Sequence, residues 1–372
     1  MKKRVAIFIN TAWNIYNFRV GLIKALQKEG YEVIAISPYD EYTKKLEGIG
    51  CKHYHIKINN KGSNPLEDLK LIYDIYKLYK KISPDVVLQY TIKPNIYGSI
   101  ASYFAKVPVI SNISGLGTVF LNNSLSSKIA RKLYKIALKI PKKVFFQNPY
   151  DRKLFFKLKL VDRKKAELIP GSGIDIKKFK PYQKSDCSNS LVKFLFIARL
   201  VKDKGLLEYI DAAKILKQKY KDIVEFAIIG AFYPNNPTAI TKEQMDEWVD
   251  SGIVNYLGVS DNIKEVIAKY DCIVLPSYRE GLSRVLLEAA SMAKPIVTTN
   301  VPGCKDVVDD GVNGFLCKVK SATSLANSIE KVINLSKEDR DIMGYKSREK
   351  IIKEFDEKIV IGKYLEVIKK II

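Results

Sequence analysis

Short apolar runs alternate with amphipathic stretches along the whole chain, and that alternation leaves few folds open. Runs of this length suit strands buried on both faces, the stretches between them suit covering helices, and the repeated unit is β-α-β around a parallel sheet. The runs fall into two series. Residues 5–9, 32–37, 53–58, 86–90, 109–112 and 144–147 form the first, separated by helical patterns such as 18–28 and 66–81. Residues 193–198, 225–230, 253–257, 272–275, 296–299 and 315–318 form the second. Between them lie Pro170-Gly171-Ser172-Gly173-Ile174-Asp175, then Phe179-Lys180-Pro181 and the polar stretch 183–190, punctuation of the kind found at domain links. The expected organisation is an α/β chain of two domains, 1–175 and 176–355, followed by a C-terminal helix at 356–372. A length of 372 residues with 47% hydrophobic content suits two such cores. The last 35 residues read as helix, with Ile359, Ile361, Leu365, Ile368 and Ile372 as its apolar positions.

The formal net charge of +23 favours anionic partners such as phosphates, acidic lipid or nucleic acid, and it is unevenly placed. Residues 1–175 hold 31 Lys and Arg against 13 Asp and Glu, net +18, whereas 176–372 hold 32 against 27, net +5. Residues 128–165 alone carry 14 basic and two acidic residues. Within them Leu125, Ile129, Leu133, Ile136 and Ile140 predict an apolar helix face that packs, opposite a cationic face of Lys128, Arg131, Lys132, Lys135 and Lys139. Such a cationic face suits an acidic bilayer, at about 1 kcal/mol per basic residue near the surface; a solvated domain helix is the alternative. Five cysteines lack C-x-x-C spacing and are expected as reduced, buried thiols. The apolar run after Lys2–Arg4 is too short for a signal peptide and no stretch is long enough to span a bilayer, so a cytoplasmic protein is expected.

The most informative stretch is Cys272-Ile-Val-Leu-Pro-Ser277 followed by Tyr278-Arg279-Glu280-Gly281-Leu282-Ser283-Arg284-Val285-Leu286-Leu287-Glu288-Ala289. A buried strand ends at Pro276, a loop presents Glu280 and Gly281, and a helix starts near Ser283. Ligands of open α/β sheets bind at the carboxyl ends of strands, and the free N–H groups of a helix start suit a phosphate. Two glutamates eight apart mean little alone in a charge-rich chain. Here, however, they stand in Pro-Ser-Tyr-Arg-Glu-Gly-Leu-Ser-Arg-Val-Leu-Leu-Glu-Ala, followed by Lys294-Pro295-Ile296-Val297 and Gly311-Val312-Asn313-Gly314-Phe315, with Ala198-Arg199-Leu-Val-Lys-Asp-Lys204-Gly205 upstream. In these residues the chain resembles the family-4 glycosyltransferases of the GT-B fold, whose signature is Glu, seven residues, Glu. The resemblance implies two Rossmann-like domains with parallel sheets facing a central cleft, an acceptor-binding domain at 1–175, a nucleotide-sugar domain at 176–355, and a final helix that packs back toward the first domain.

For particular residues the resemblance implies the following. Arg199 and Lys204 grip the donor diphosphate and stabilise charge on the leaving group. Glu288 holds the ribose hydroxyls, and Glu280 holds the donor sugar and stabilises its developing positive charge. Gly281 allows close backbone approach, the N–H groups of Leu282 and Ser283 meet the diphosphate, and Tyr256, Leu257 and Val259 contact the base. The configuration of the transferred sugar is retained. With no Asp-x-Asp in the chain and two cations placed to do an ion's work, no metal and no cofactor are expected beyond the nucleotide sugar itself.

The first domain departs from the family. Asn10-Thr11-Ala12-Trp13-Asn14-Ile15 stands where many relatives have a glycine-rich turn, and no histidine matches the one many relatives hold near the donor sugar; His53 and His55 read as structural. Ser111-Asn112-Ile113-Ser114-Gly115-Leu116-Gly117-Thr118 and Tyr90-Thr91-Ile92-Lys93-Pro94-Asn95 resemble the subgroup that adds hexoses or N-acetylhexosamines, N-acetylgalactosamine among them, to polyprenyl-diphosphate glycans of bacterial surface polysaccharides and glycoproteins. Asn14, Lys93, Asn95, Ser114, Gly115 and Gly117 are the acceptor-side candidates, with loop capping as the alternative for Lys93 and Asn95. The expected partners are a UDP-sugar, a polyprenyl-linked glycan and an acidic membrane on its cytoplasmic face. Nucleic-acid binding lacks any recognised module here, and a non-catalytic scaffold would not need Glu280, Arg199 and Lys204. A soluble glucosyltransferase or sugar-phosphate synthase is the alternative enzyme.

Overall fold

Seven parallel strands form one sheet: β1 (Arg4–Phe8), β2 (Glu32–Ser37), β3 (Lys52–His55), β4 (Val86–Tyr90), β5 (Val109–Ile113), β6 (Lys143–Phe146) and β7 (Ala166–Leu168), in the order β3-β2-β1-β4-β5-β6-β7. Six more form a second: β8 (Val192–Ile197), β9 (Val224–Ile229), β10 (Asn255–Tyr256), β11 (Cys272–Leu275), β12 (Ile296–Thr299) and β13 (Gly314–Cys317), in the order β10-β9-β8-β11-β12-β13. Every pairing is parallel, which explains why the strands read as nearly continuous apolar runs: helices cover both faces, and β4, β5, β11 and β12 are buried throughout. This is a computed structural model that describes residues 2–59, 64–116, 120, 125–182, 191–234 and 236–372. The chain divides into two Rossmann-like units, Met1–Ser172 with Glu357–Ile372, and Gly173–Asp356.

Each sheet has one place where the strand order reverses, between β1 and β4 in the first and between β8 and β11 in the second. Loops leaving the two strands on either side of such a point diverge and leave a crevice at the carboxyl edge. Residues 198–205 leave β8 and residues 276–283 leave β11, so the most motif-rich segments of the chain flank the reversal in the second sheet.

Three sequence expectations change. The strand β7 is missed by the apolar-run criterion because Ala166-Glu167-Leu168 is short, half-buried and charged at its centre; it closes the edge beside β6. The final helical region is two helices, Lys337–Glu354 and Glu357–Ile371, and the second buries Val360, Tyr364 and, of the expected positions, Ile368, with Ile361, Leu365 and Ile372 partly buried beside them. The helix Leu125–Ala137 is rotated relative to its apolar pattern. Tyr134, Ala137 and the adjoining Leu138 are buried, while Ile129 and Ile136 are 51% and 58% exposed beside Lys128, Lys132 and Lys135. The cause is aromatic: Tyr134 packs edge-on to Phe155 at 5.6 Å and against Phe120 at 5.8 Å, and this cluster takes the inward face. The side chain of Leu125 lies outside the described set. Cys51, Cys272, Cys304 and Cys317 are buried and unbridged; Cys187 lies outside the described residues. Among the described residues no helix is long and apolar enough to cross a membrane.

Candidate active site

The loop after β8 carries Arg199 and turns through the short 3-10 segment Lys202–Lys204 into the helix Leu206–Tyr220. Gly205 makes that turn at φ 76°, and a Cβ there would stand 2.1 Å from the Pro276 carbonyl oxygen, so only glycine lets this loop meet the β11 exit. The backbone fixes the meeting: Tyr278 N–H donates to Asp203 O at 2.9 Å, and the Tyr278 hydroxyl donates to Glu208 at 2.7 Å. Burial, with Glu208 beside it, pushes the Tyr278 hydroxyl above its usual range, so it stays a donor. Gly303, at φ 80°, backs the Glu280 carbonyl where a Cβ would lie 2.4 Å away. Held from both sides, Glu280 forms an ion pair with Lys204, both side chains being mostly buried.

Glu288 sits in the helix Arg284–Ser291 and pairs with Arg284 Nε at 3.0 Å, one turn earlier. Its side chain is 12% exposed, and burial raises its pKa while the neighbouring guanidinium pulls it back down. Arg284 also donates to Gly173 O at 2.6 Å. Arg284 was absent from the sequence candidates, although its i,i+4 spacing to Glu288 was a legible signal. The Arg199 guanidinium lies 5.0 Å from the centre of the Tyr233 ring, a contact that keeps this cation at the strand exit.

The remaining donor-side candidates divide. Ser283 N–H donates to Gly303 O at 3.0 Å, so that amide is committed to holding the loop and is withdrawn as a diphosphate donor. Gly281 and Leu282 lie half-buried on the same loop. Ser283 flanks the helix without a side-chain cap hydrogen bond, so its hydroxyl does not occupy the helix start. Tyr256 is tied down by its hydroxyl, which donates to Gly230 O at 2.9 Å, and packs on Phe232; Leu257 and Val259, just beyond β10, are exposed.

On the acceptor side, side-chain commitments favour the capping alternative for two residues. Lys93 is paired with Asp68 at 2.8 Å, which also accepts from Tyr97 at 2.6 Å. Asn95 is 1% exposed and its amide donates to Asn112 O at 2.8 Å. Lys93 and Asn95 are therefore placed as struts between loops, the capping alternative, although the Asn95 side-chain oxygen is buried with no hydrogen-bond partner of its own. Ser114 joins the same network, donating to the Asn112 side chain at 3.1 Å, and Gly115 follows with φ 148°. Asn14 is half-buried in the first turn of the helix Ala12–Lys28, its N–H donating to the Thr11 side chain at 3.1 Å. Gly117 lies outside the described residues. His53 meets Ser37 at 2.9 Å and His55 stacks on Tyr39 at 4.8 Å, which gives both a structural role at the β3 edge.

With the geometry in hand, likeness to known proteins is specific. The family described as "Glycosyl transferases group 1" matches residues 183–350, and that described as "Glycosyl transferase 4-like" matches residues 4–148. The chain is 29% identical to the N,N'-diacetylbacillosaminyl-diphospho-undecaprenol alpha-1,3-N-acetylgalactosaminyltransferase of Campylobacter jejuni, over 99% of both chains. It is also 29% identical to the UDP-Gal:alpha-D-GlcNAc-diphosphoundecaprenol alpha-1,3-galactosyltransferase of Escherichia coli, covering 78% of this chain and 76% of that one. Among solved structures, a glycosyltransferase from Rickettsia africae superposes with a TM-score of 0.80 at 20% identity, covering 100% of this chain and 98% of that one. Anabaena HepE, in a complex with UDP and glucose, gives 0.79 at 19%, covering 99% and 100%.

Proposed function

Because this chain belongs to the group 1, family-4-like glycosyltransferases of the GT-B fold, we propose that it is a retaining, metal-independent enzyme of bacterial surface-glycan assembly. It moves a hexose or N-acetylhexosamine from a UDP-sugar to a polyprenyl-diphosphate-linked glycan. The observation that carries the reading is the Lys204–Glu280 pair, built where the strand order of the second sheet reverses. The full-length similarity to an enzyme named for a diphospho-undecaprenol acceptor supports the acceptor class, and the Escherichia coli relative named for UDP-Gal supports the donor nucleotide.

The residues divide the work by charge. Lys204 and Arg199 neutralise the diphosphate, and their effect grows as the bond from the anomeric carbon to the β-phosphate oxygen breaks. Once the diphosphate takes Lys204, the Glu280 carboxylate is released to accept donor-sugar hydroxyls and face the positive charge developing on the ring. Arg284 opposes the effect of burial on Glu288 and so favours the ionised form, which accepts two ribose hydroxyls. Donor-facing amides come from Leu282 and the helix start, with Gly281 permitting the approach; Leu257 and Val259 flank the base. The acceptor hydroxyl oxygen bonds to the anomeric carbon on the face the diphosphate leaves, and its proton passes to the departing phosphate oxygen. Two cations at the leaving group replace a divalent ion. Asn14, Ser114 and Gly115 remain as acceptor-side residues in the first unit.

The enzyme works at the cytoplasmic face of the inner membrane, held there by its basic first unit. Ile129 and Ile136, turned outward beside Lys128, Lys132 and Lys135, support this over a soluble acceptor, since an apolar stripe flanked by lysines suits a lipid interface. The test is incubation with a panel of UDP-sugars and polyprenyl-diphosphate glycans, reading the product anomer by NMR with and without EDTA. Retained configuration and EDTA-insensitive transfer are expected; an inverted product, or activity that chelation removes and a divalent ion restores, overturns the mechanism.

A further inference from the structure

The basic residues of the first unit are gathered, not spread. An open cavity of about 590 Å³ is walled by Lys135 and Lys139 at the end of the helix Leu125–Ala137, by Lys159 and Arg163 after the helix Pro149–Lys157, and by Lys165 at the entry to β7. Leu138, Phe156 and Leu160 line it as apolar surface. Asp162 is the one acid in the wall, and its carboxylate is engaged in a local turn, accepting from Lys164 N–H at 2.9 Å. Lys165 donates to Lys139 O, and Arg163 lies 5.3 Å from the Phe156 ring centre. Among the described residues, Lys135, Lys139, Lys159 and Arg163 form no ion pair with a carboxylate.

Its place in the topology separates this cavity from the chemistry. The helix Leu125–Ala137 descends from the carboxyl end of β5 and β6 starts at Lys143, so the cavity stands at the amino ends of β6 and β7, the edge of the sheet opposite Asn14 and Ser114. Four unpaired cations around one hollow repel one another, an arrangement that a multiply charged anion relieves. The volume is that of a small-ligand site. Ammonium groups converging from several directions suit a phosphate, and an apolar lining suits one that carries a glycerol and acyl chains. The cavity also adjoins the outward Lys135 and Ile136 of the helix.

We propose that this cavity binds the phosphate of an anionic lipid headgroup, a site distinct from that of glycosyl transfer. The choice of a lipid occupant rests on the membrane reading above; the phosphate chemistry does not. The test uses the full chain and vesicles of phosphatidylcholine with or without phosphatidylglycerol, read by co-sedimentation. Lys139→Glu with Arg163→Glu should lower partition onto the anionic vesicles about tenfold, whereas Lys24→Glu with Lys44→Glu, the same change in charge at exposed sites near the other edge of the sheet, should lower it less than about threefold. The milder Lys135→Gln with Lys159→Gln should lower it by an intermediate factor, and it keeps the test valid where charge reversal disturbs folding. Equal losses from the two charge-reversal pairs would mean a diffuse field and overturn the site. Calorimetric titration with inorganic pyrophosphate and sn-glycerol 3-phosphate separates the sources: soluble anions bound by the parent and lost in the variants, with vesicle partition unchanged, overturn the lipid assignment. UDP-sugar turnover on a water-soluble acceptor analogue, measured without vesicles, should be the same in the parent and all these variants. Its absence from the parent would count against the proposed reaction while leaving the partition result standing.

Discussion

Lys204 and Glu280 neutralise each other across the second sheet's reversal point, and a diphosphate would take the cation from that pair. On the proposed reaction the strongest contacts of Lys204 and Arg199 would form as the leaving group gains charge, which would place their effect on turnover more than on binding. Replacing Arg199 and Lys204 together with Ala should lower kcat by about 100-fold or more, with a smaller change in donor KM, in steady-state assays with the preferred UDP-sugar. Unchanged kinetics would remove the site. Arg284 is the residue that motif reading passed over, because a resemblance directs attention to the two glutamates and says nothing of what pairs with Glu288. Arg284→Met leaves a mostly buried carboxylate without its partner, and at 12% exposure the cost should be about 2 kcal/mol, below that of a fully buried pair. The pH dependence has a definite sign. Burial already raises the Glu288 pKa and Arg284 opposes it, so the variant raises it further. A carboxyl whose folded pKa lies above its unfolded one binds its proton more tightly when folded. The variant should then lose stability as pH rises from the unfolded carboxylate range through the raised folded pKa, more steeply than the parent in thermal unfolding. A parallel pair of curves would show that Arg284 does not set the protonation of Glu288.

Elements were legible where one physical cause dominated. The strands β2, β4, β11 and β12 stand at the bounds their apolar runs predict, because a strand covered on both faces has no other reason to be apolar. The edge strand β7 was invisible because it needs only one partner and a half-buried face. The helix Leu125–Ala137 misled differently: its isoleucine periodicity is real, but helical spacing alone does not say which stripe faces inward, and Tyr134 decides that through Phe155 and Phe120. The two stripes can be told apart. Tyr134→Ala should cost about 3 kcal/mol in denaturant unfolding, as truncation of a buried aromatic does. Ile136→Ser should change stability by no more than about 0.5 kcal/mol while weakening binding to anionic vesicles. The reverse ranking in the unfolding experiment would restore the isoleucine face as the packed one.

At the scale of the molecule, the chain leaves its first unit at Ser172 and returns to it at Glu357, and the last helix contributes to that unit's core. Punctuation at 170–190 made the outward crossing visible in the sequence, whereas the return has no such marker. It is carried by tertiary contacts that no local pattern encodes: Tyr364 is buried against Phe145 at 4.9 Å, and its hydroxyl accepts from the Asn112 side chain at 2.9 Å. Asn112 in turn accepts from Ser114 and from Gln147, so the terminal helix reaches the loop after β5 through one asparagine. Tyr364→Phe keeps the packing and removes the oxygen, leaving a buried amide without its acceptor, at a cost of about 1–2 kcal/mol. Because the lost bond lies wholly within the first unit, amide exchange should quicken in β5 and in the helix Glu357–Ile371 while β8 and β11 keep their protection. Faster exchange spread evenly over both sheets would mean that the two units open together, and that the returning helix stabilises the whole chain instead of the unit it rejoins.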